Sequence, residues 1–189
     1  MHYRVKEEFA AILARMAAAL QVGDGLTEGV QIGPLIDEQA MKKVERHVQD
    51  AVVKGARIAT DGKRIAGERT GNFYEPTVLV DTHAEMLVEH EETFGPVLPI
   101  HAFASEEEAL NKANDSRYGL AAYVYTRDLA RAIRVSEKLE YGIVGVNDGV
   151  PSTVQAPFGG VKESGLGREG GRHGIEEYLE LKYISVKLD

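Results

Sequence analysis

Phe9, Ile12, Leu13, Met16 and Leu20 recur at helical spacing in an alanine-rich run, which predicts an amphipathic helix over residues 5–21 ended by the turn Gly23-Asp24-Gly25. Asp37 is the expected N-cap of a second helix carrying Met41, Val44, Val48 and Val52 on one face, with Gly55 as its stop. Residues 56–59 read as a short strand, residues 62–71 as charged and turn-rich, and residues 73–80 and 96–103 as strands joined by a loop. Ser105-Glu106-Glu107-Glu108 has capping-box spacing and predicts a helix from 106 to about 114. Residues 120–126 read as a strand, Asp128 caps a helix running through Leu139, and Gly142-Ile143-Val144-Gly145-Val146-Asn147 is the continuous apolar run of a buried parallel strand.

Alternating strands and helices predict an α/β fold: an open, mostly parallel sheet flanked by helices, with ligands gathering beyond the carboxyl ends of its strands. Asn147 begins one such end. Residues 148–174 show little periodicity and form too long a loop for a mere connector, so function is sought there first. Residues 178–188 alternate apolar and polar positions like a half-exposed strand, of a kind that pairs with another chain. The division expected is one domain over 1–177 and a C-terminal oligomerisation arm over 178–189, with the partner a second copy of the chain.

Composition narrows the function more than the fold. With 189 residues and 43% hydrophobic, 28% charged composition, the chain has the makeup of an ordinary globular domain. Asp and Glu outnumber Lys and Arg by 30 to 22, and the cations are scattered, so no nucleic-acid partner is expected. The opening Met1-His2-Tyr3-Arg4 lacks an apolar h-region and no apolar run nears the roughly 18 residues of a membrane span, which makes a cytoplasmic protein away from membranes the expectation. Zero cysteines remove disulfides, thiolate metal ligands and thiol nucleophiles together.

Several familiar patterns fail on context. Gly165-Leu166-Gly167-Arg168-Glu169-Gly170 spells G-x-G-x-x-G, yet it follows a polar loop instead of a strand and too little chain remains for a βαβ unit. The six histidines show no ligand spacing, so solvated or packed rings are expected and no metal. No serine lies in G-x-S-x-G or S-x-x-K. Arg168 and Glu169, a charged pair among closely spaced glycines, read as ordering a loop.

Three segments, taken in order, are similar to the aldehyde dehydrogenase family: Glu91-Glu92-Thr93-Phe94-Gly95-Pro96, Asn114-Asp115-Ser116-Arg117-Tyr118-Gly119-Leu120-Ala121, and Pro157-Phe158-Gly159-Gly160-Val161-Lys162-Glu163-Ser164-Gly165-Leu166-Gly167-Arg168-Glu169. The likeness extends over Ile32-Gly33-Pro34-Leu35-Ile36 and Gly71-Asn72-Phe73-Tyr74-Glu75-Pro76-Thr77, hence over essentially the whole chain. Residues 140–147, 156–158 and 174–183 most resemble succinate-semialdehyde dehydrogenases, which oxidise an aldehyde bearing a distal carboxylate to the acid.

In that family a cysteine thiolate attacks the aldehyde, hydride passes to NAD or NADP, a glutamate activates water, and an asparagine helps hold the oxyanion. The resemblance places this chain just after the catalytic cysteine, as the C-terminal part of the catalytic domain. It implies that the chain holds no catalytic residue, binds no cofactor alone and is inactive alone. Glu92 matches the glutamate that accepts hydrogen bonds from the nicotinamide ribose, and an ordinary loop carboxylate is its plain alternative. Phe94 matches the aromatic beside the nicotinamide, or is a core phenylalanine. Phe158 matches an aromatic bordering the substrate pocket, and also fits a ring anchoring a rigid turn. Ser152 matches a serine that helps bind the substrate carboxylate, although Pro151 before it and Asp148 depart from the subfamily and keep another carboxylated or small aldehyde open. A non-catalytic oligomerisation or regulatory partner is the competing expectation, and NAD against NADP stays open.

Overall fold

In the computed structural model, which describes residues 1–65 and 71–189, the chain divides into two compact units, residues 1–106 and 107–189. Of the turn-rich stretch expected over 62–71, residues 66–70 lie outside the described residues.

In the first unit both expected helices form. Helix α1 spans Lys6–Ala18, shorter than expected, and α2 spans Glu38–Val53. Asp37 caps α2 as its position suggested, its Oδ1 accepting the Ala40 amide at 2.7 Å, and Gly55 takes the left-handed φ of +103° just after the helix. Strand β1 (Arg57–Ile58) runs antiparallel to β2 (Thr77–Thr82), and β3 (Val97–His101) runs parallel to β2 on its other edge.

The central strand explains the core. Val78 and Val80 pack with Ile100 against Ala10, Ala17 and Leu13 of α1, while the intervening Leu79 packs against Met41, Val44, Val48 and Ala51 of α2. Because both faces of β2 are covered, its residues read as a continuous apolar run without alternation. Each of these three fully buried side chains contributes about 1.5–3 kcal/mol of burial free energy.

Two local expectations change. Helix α1 meets β2 through its alanines, leaving Phe9, Ile12 and Met16 exposed, because the small side chains permit the closer approach of helix to sheet. The connection between β2 and β3 contains a short helix, α3 (Leu87–His90), whose first amide is held by Asp50 Oδ2 of α2 at 2.8 Å.

In the second unit α4 (Glu106–Asn114, beginning at the unit boundary) precedes β4 (Tyr118–Gly119), β5 (Ala121–Val124), α5 (Leu129–Lys138), β6 (Ile143–Val146) and β7 (Val161–Lys162). Strands β5 and β6 pair in parallel through the crossover helix α5, which Asp128 caps by accepting the Arg131 amide at 3.0 Å. Strands β4 and β7 pair antiparallel. The strand over 143–146 is thus parallel as expected but only partly buried.

The open, mostly parallel sheet is corrected accordingly. The described strands form three small sheets, β1-β2-β3, β4-β7 and β5-β6, in a mixed α/β arrangement flanked by helices. Periodicity locates strands, but which edges meet is decided by long-range contacts it does not encode. The tail beyond Leu179 joins no strand among the described residues and exposes Leu181, Tyr183, Ile184, Val186 and Leu188. No helix among the described residues is long and apolar enough to cross a membrane.

Candidate active-site wall

Residues 91–95 form a strip fastened to α2 at alternate positions. Arg46 Nη2 of α2 lies 2.5 Å from Glu91 Oε2, His47 Nε2 lies 3.1 Å from the same oxygen, and His47 Nδ1 lies 3.0 Å from Thr93 Oγ1. Gly95 rides directly over Val44: a Cβ there would come within 2.5 Å of Val44 Cγ2. The residues between these anchors, Glu92 and Phe94, are exposed, Phe94 by 80%. Phe94 has φ +49°, a left-handed conformation that a bulky non-glycine residue adopts only at a cost of roughly 1–2 kcal/mol.

His47 itself is fully buried. Burial holds its ring below the usual histidine pKa, with Arg46 and Lys43 pushing the same way and Glu91 opposing them. The hydrogen bond from His47 in turn holds the Glu91 carboxyl below its usual value. An ionised carboxylate can only accept, so Nε2 carries the proton donated to Glu91, and the unprotonated Nδ1 accepts from the Thr93 hydroxyl.

The unfolded chain takes up a proton on His47 near 6.5, before the folded chain does, so the stability this ring contributes is intact above that pH and is progressively lost below it, down to the lower folded value. Urea midpoints should fall between pH 7 and 5.5, and less steeply in His47→Gln; equal slopes in the two proteins would exclude His47 as the source.

In the second unit, Asn147 ends β6 in the left-handed region at φ +54°, its side chain bridging the Thr126 amide (2.9 Å) and carbonyl (2.8 Å). The loop beyond it carries Ser152, which is exposed, and then Phe158, 38% exposed. Phe158 and Glu169 exchange two backbone hydrogen bonds of 2.7 Å each, and Arg168 Nη1 donates to the carbonyls of Gly160 and Gly167, both at 2.7 Å. Arg168 therefore orders this loop. Gly165, Gly167 and Gly170 all have positive φ and belong to its turns, with no βαβ unit around them.

The four candidate residues thus fall in two places: Glu92 and Phe94 on the strip of the first unit, Ser152 and Phe158 on the loop of the second. Among the described residues no group of three or more His, Asp or Glu could hold a metal ion. The anchors Arg46 and His47 had no motif to announce them, yet His47 stands three residues after Val44 and one before Val48, within the apolar face of α2. A histidine inside such a stripe signals a buried ring that needs partners.

The chain belongs to the aldehyde dehydrogenase family, whose pattern covers residues 1–184. It is 55% identical over 184 residues to succinate-semialdehyde dehydrogenase [NADP(+)] of Escherichia coli, spanning 97% of this chain and 38% of that protein. It is 54% identical over 182 residues to 3-sulfolactaldehyde dehydrogenase of Pseudomonas putida, spanning 96% of this chain and 37% of that one. A solved betaine aldehyde dehydrogenase of Staphylococcus aureus in complex with NAD+ superposes with TM-score 0.88 at 40% identity, over 94% of this chain and 36% of that chain. The chain therefore spans well under half the length of these relatives.

Proposed function

We propose that the chain forms the C-terminal wall of the active site of an NAD- or NADP-dependent aldehyde dehydrogenase that oxidises succinate semialdehyde to succinate, and that it is inactive by itself. The observation that carries this reading is the strip 91–95, which pins odd positions to α2 and turns an acidic and an aromatic side chain outward at positions 92 and 94. An exposed carboxylate with two acceptor oxygens suits a ribose diol, and an exposed ring suits the flat face of nicotinamide. Bound NAD(P)+ supplies the hydride acceptor.

Glu92 then fixes the ribose by accepting its hydroxyl protons in hydrogen bonds, and the Phe94 ring limits the swing of the nicotinamide, which turns binding into orientation. Ser152 offers a compact hydroxyl to the distal carboxylate, and Phe158 borders the aldehyde's path with an apolar face. With no cysteine in the chain, the thiol nucleophile is supplied by residues outside this sequence, together with the general base, the oxyanion amide and the dinucleotide-binding domain. The relatives' names include both a semialdehyde and a sulfonated aldehyde, so the reading extends to other small aldehydes with an anionic tail.

The exposed apolar side chains of the tail support a second role for residues 178–189 as an arm that adds a strand to another copy, beyond a domain spanning 1–177. On that basis a non-catalytic oligomerisation partner is the alternative.

The deciding experiment joins the chain to the N-terminal part of the Escherichia coli relative and follows NAD(P)+ reduction with succinate semialdehyde. We expect turnover from the fusion and none from the chain alone. A soluble fusion that binds cofactor but oxidises no aldehyde would sink the reading, and copurification of the chain with a cysteine-bearing dehydrogenase whose rate it changes would favour the alternative.

A further inference from the structure

We infer that His47 is a positioning residue for the cofactor: one buried imidazole clamps both sides of Glu92 and thereby sets where Glu92 and Phe94 point. The inference rests on the reading that these two residues face the cofactor.

The geometry is specific to an imidazole. Its two nitrogens reach Glu91 at 3.1 Å and Thr93 at 3.0 Å, the residues immediately before and after Glu92, so the peptide of Glu92 is held from both flanks by a single rigid ring. The ring is fully buried while the Glu91 side chain is 42% exposed, so the buried nitrogens depend on these two partners for hydrogen bonding. Arg46 grips Glu91 from the adjacent helical position, and the close contact of Gly95 with Val44 fixes the far end of the strip. With positions 91, 93 and 95 fastened, the left-handed backbone at Phe94 is held in place although its ring is exposed. That is how a strained conformation persists: its surroundings over-determine it. The charged groups that act on His47 are Glu91 from the strip and Arg46, Lys43 and Asp50 from its own helix. None of them competes for Nδ1, so the Thr93 hydroxyl is its partner.

Thr93→Val removes the hydroxyl at nearly constant shape, and Thr93→Ser returns it. In the chain as it stands, ring 15N shifts of His47 should report a protonated Nε2 and a bare Nδ1. Amide exchange over residues 91–95 should accelerate about tenfold in Thr93→Val and recover in Thr93→Ser, while α2 and β2 keep wild-type protection and so report an intact fold. In the fusion enzyme, Thr93→Val should raise the cofactor KM about tenfold and leave the aldehyde KM unchanged, as loss of a supporting hydrogen bond behind a ligand contact does. Glu92→Gln is the companion variant and should raise the cofactor KM by itself. Unchanged exchange in Thr93→Val overturns the clamp. Faster exchange with an unaltered cofactor KM, while Glu92→Gln still raises it, overturns the positioning role and leaves the cofactor reading intact. A silent Glu92→Gln overturns both.

Discussion

Replacing Gly142 by alanine should cost the second unit at least about 3 kcal/mol of stability, the upper end of what single substitutions ordinarily cost. A Cβ at this position would lie 1.9 Å from the carbonyl oxygen of Gly159 and 3.0 Å from the Cα of Gly160. The obstacle is backbone, which cannot rotate aside as a side chain can, so either β6 or the 159–160 segment must move. That segment is itself hemmed in: a Cβ on Gly159 would meet the Gly167 carbonyl at 2.5 Å, and one on Gly160 would meet Ser164 Cβ at 2.5 Å. Three stretches of chain are stacked at main-chain distance, and Phe158 sits at the edge of the stack. Gly33→Ala is the matched control, since nothing lies within 4 Å of a Cβ there, and it should change stability by less than about 0.5 kcal/mol. Urea denaturation followed by circular dichroism, with amide exchange of β5 and β6, reads the difference. Equal midpoints for the two variants would show that the crossing is slack and that the Pro-Phe-Gly-Gly segment is not held by it.

Phe94→Gly should separate stability from function. The ring is 80% exposed and contributes little burial, while the φ of +49° costs a phenylalanine roughly 1–2 kcal/mol that glycine does not incur. Glycine gives part of this back through the greater freedom of its unfolded chain, about 0.5–1 kcal/mol, so the variant should match or exceed the wild type in thermal stability. In the fusion enzyme the same change should lower kcat/KM for the cofactor about a hundredfold, because a nicotinamide without a fixed face spends its time away from the reacting geometry. Phe94→Leu, which keeps bulk and strain without a flat ring, should fall between them in rate. A Phe94→Gly protein destabilised by about 2 kcal/mol with undiminished kcat/KM would mean that the phenylalanine serves the fold alone.

How much of this could be read from the sequence varies with the range of the interaction. Asp37 and Asp128 cap their helices as their positions implied, because an N-cap bond closes within three residues. Gly55 ends α2 because a left-handed residue is a purely local need. Helix α3 escaped the pattern for the opposite reason: its N-cap residue Met86 makes no side-chain cap, and the acceptor for its first amide is Asp50, on another helix. Helix α1 shows the same limit in packing. Its apolar stripe was plain, but three large members of that stripe face outward and the alanines face the sheet. Glu92, Phe94, Ser152 and Phe158 could be singled out in the sequence only through a family resemblance, whereas the side chains that hold the strip around Glu92 had no such signal.

By itself the sequence determined the family, the helix boundaries set by local caps, and the absence of any cysteine from this chain. Those follow from near neighbours or from composition. Only the tertiary structure decided that the strands fall into three small sheets, that His47 is a buried clamp on the strip around Glu92, and that backbone meets backbone at Gly142. Each of these brings together groups far apart in the chain, and hydrophobic periodicity records which face of an element is apolar without recording what will be packed against it.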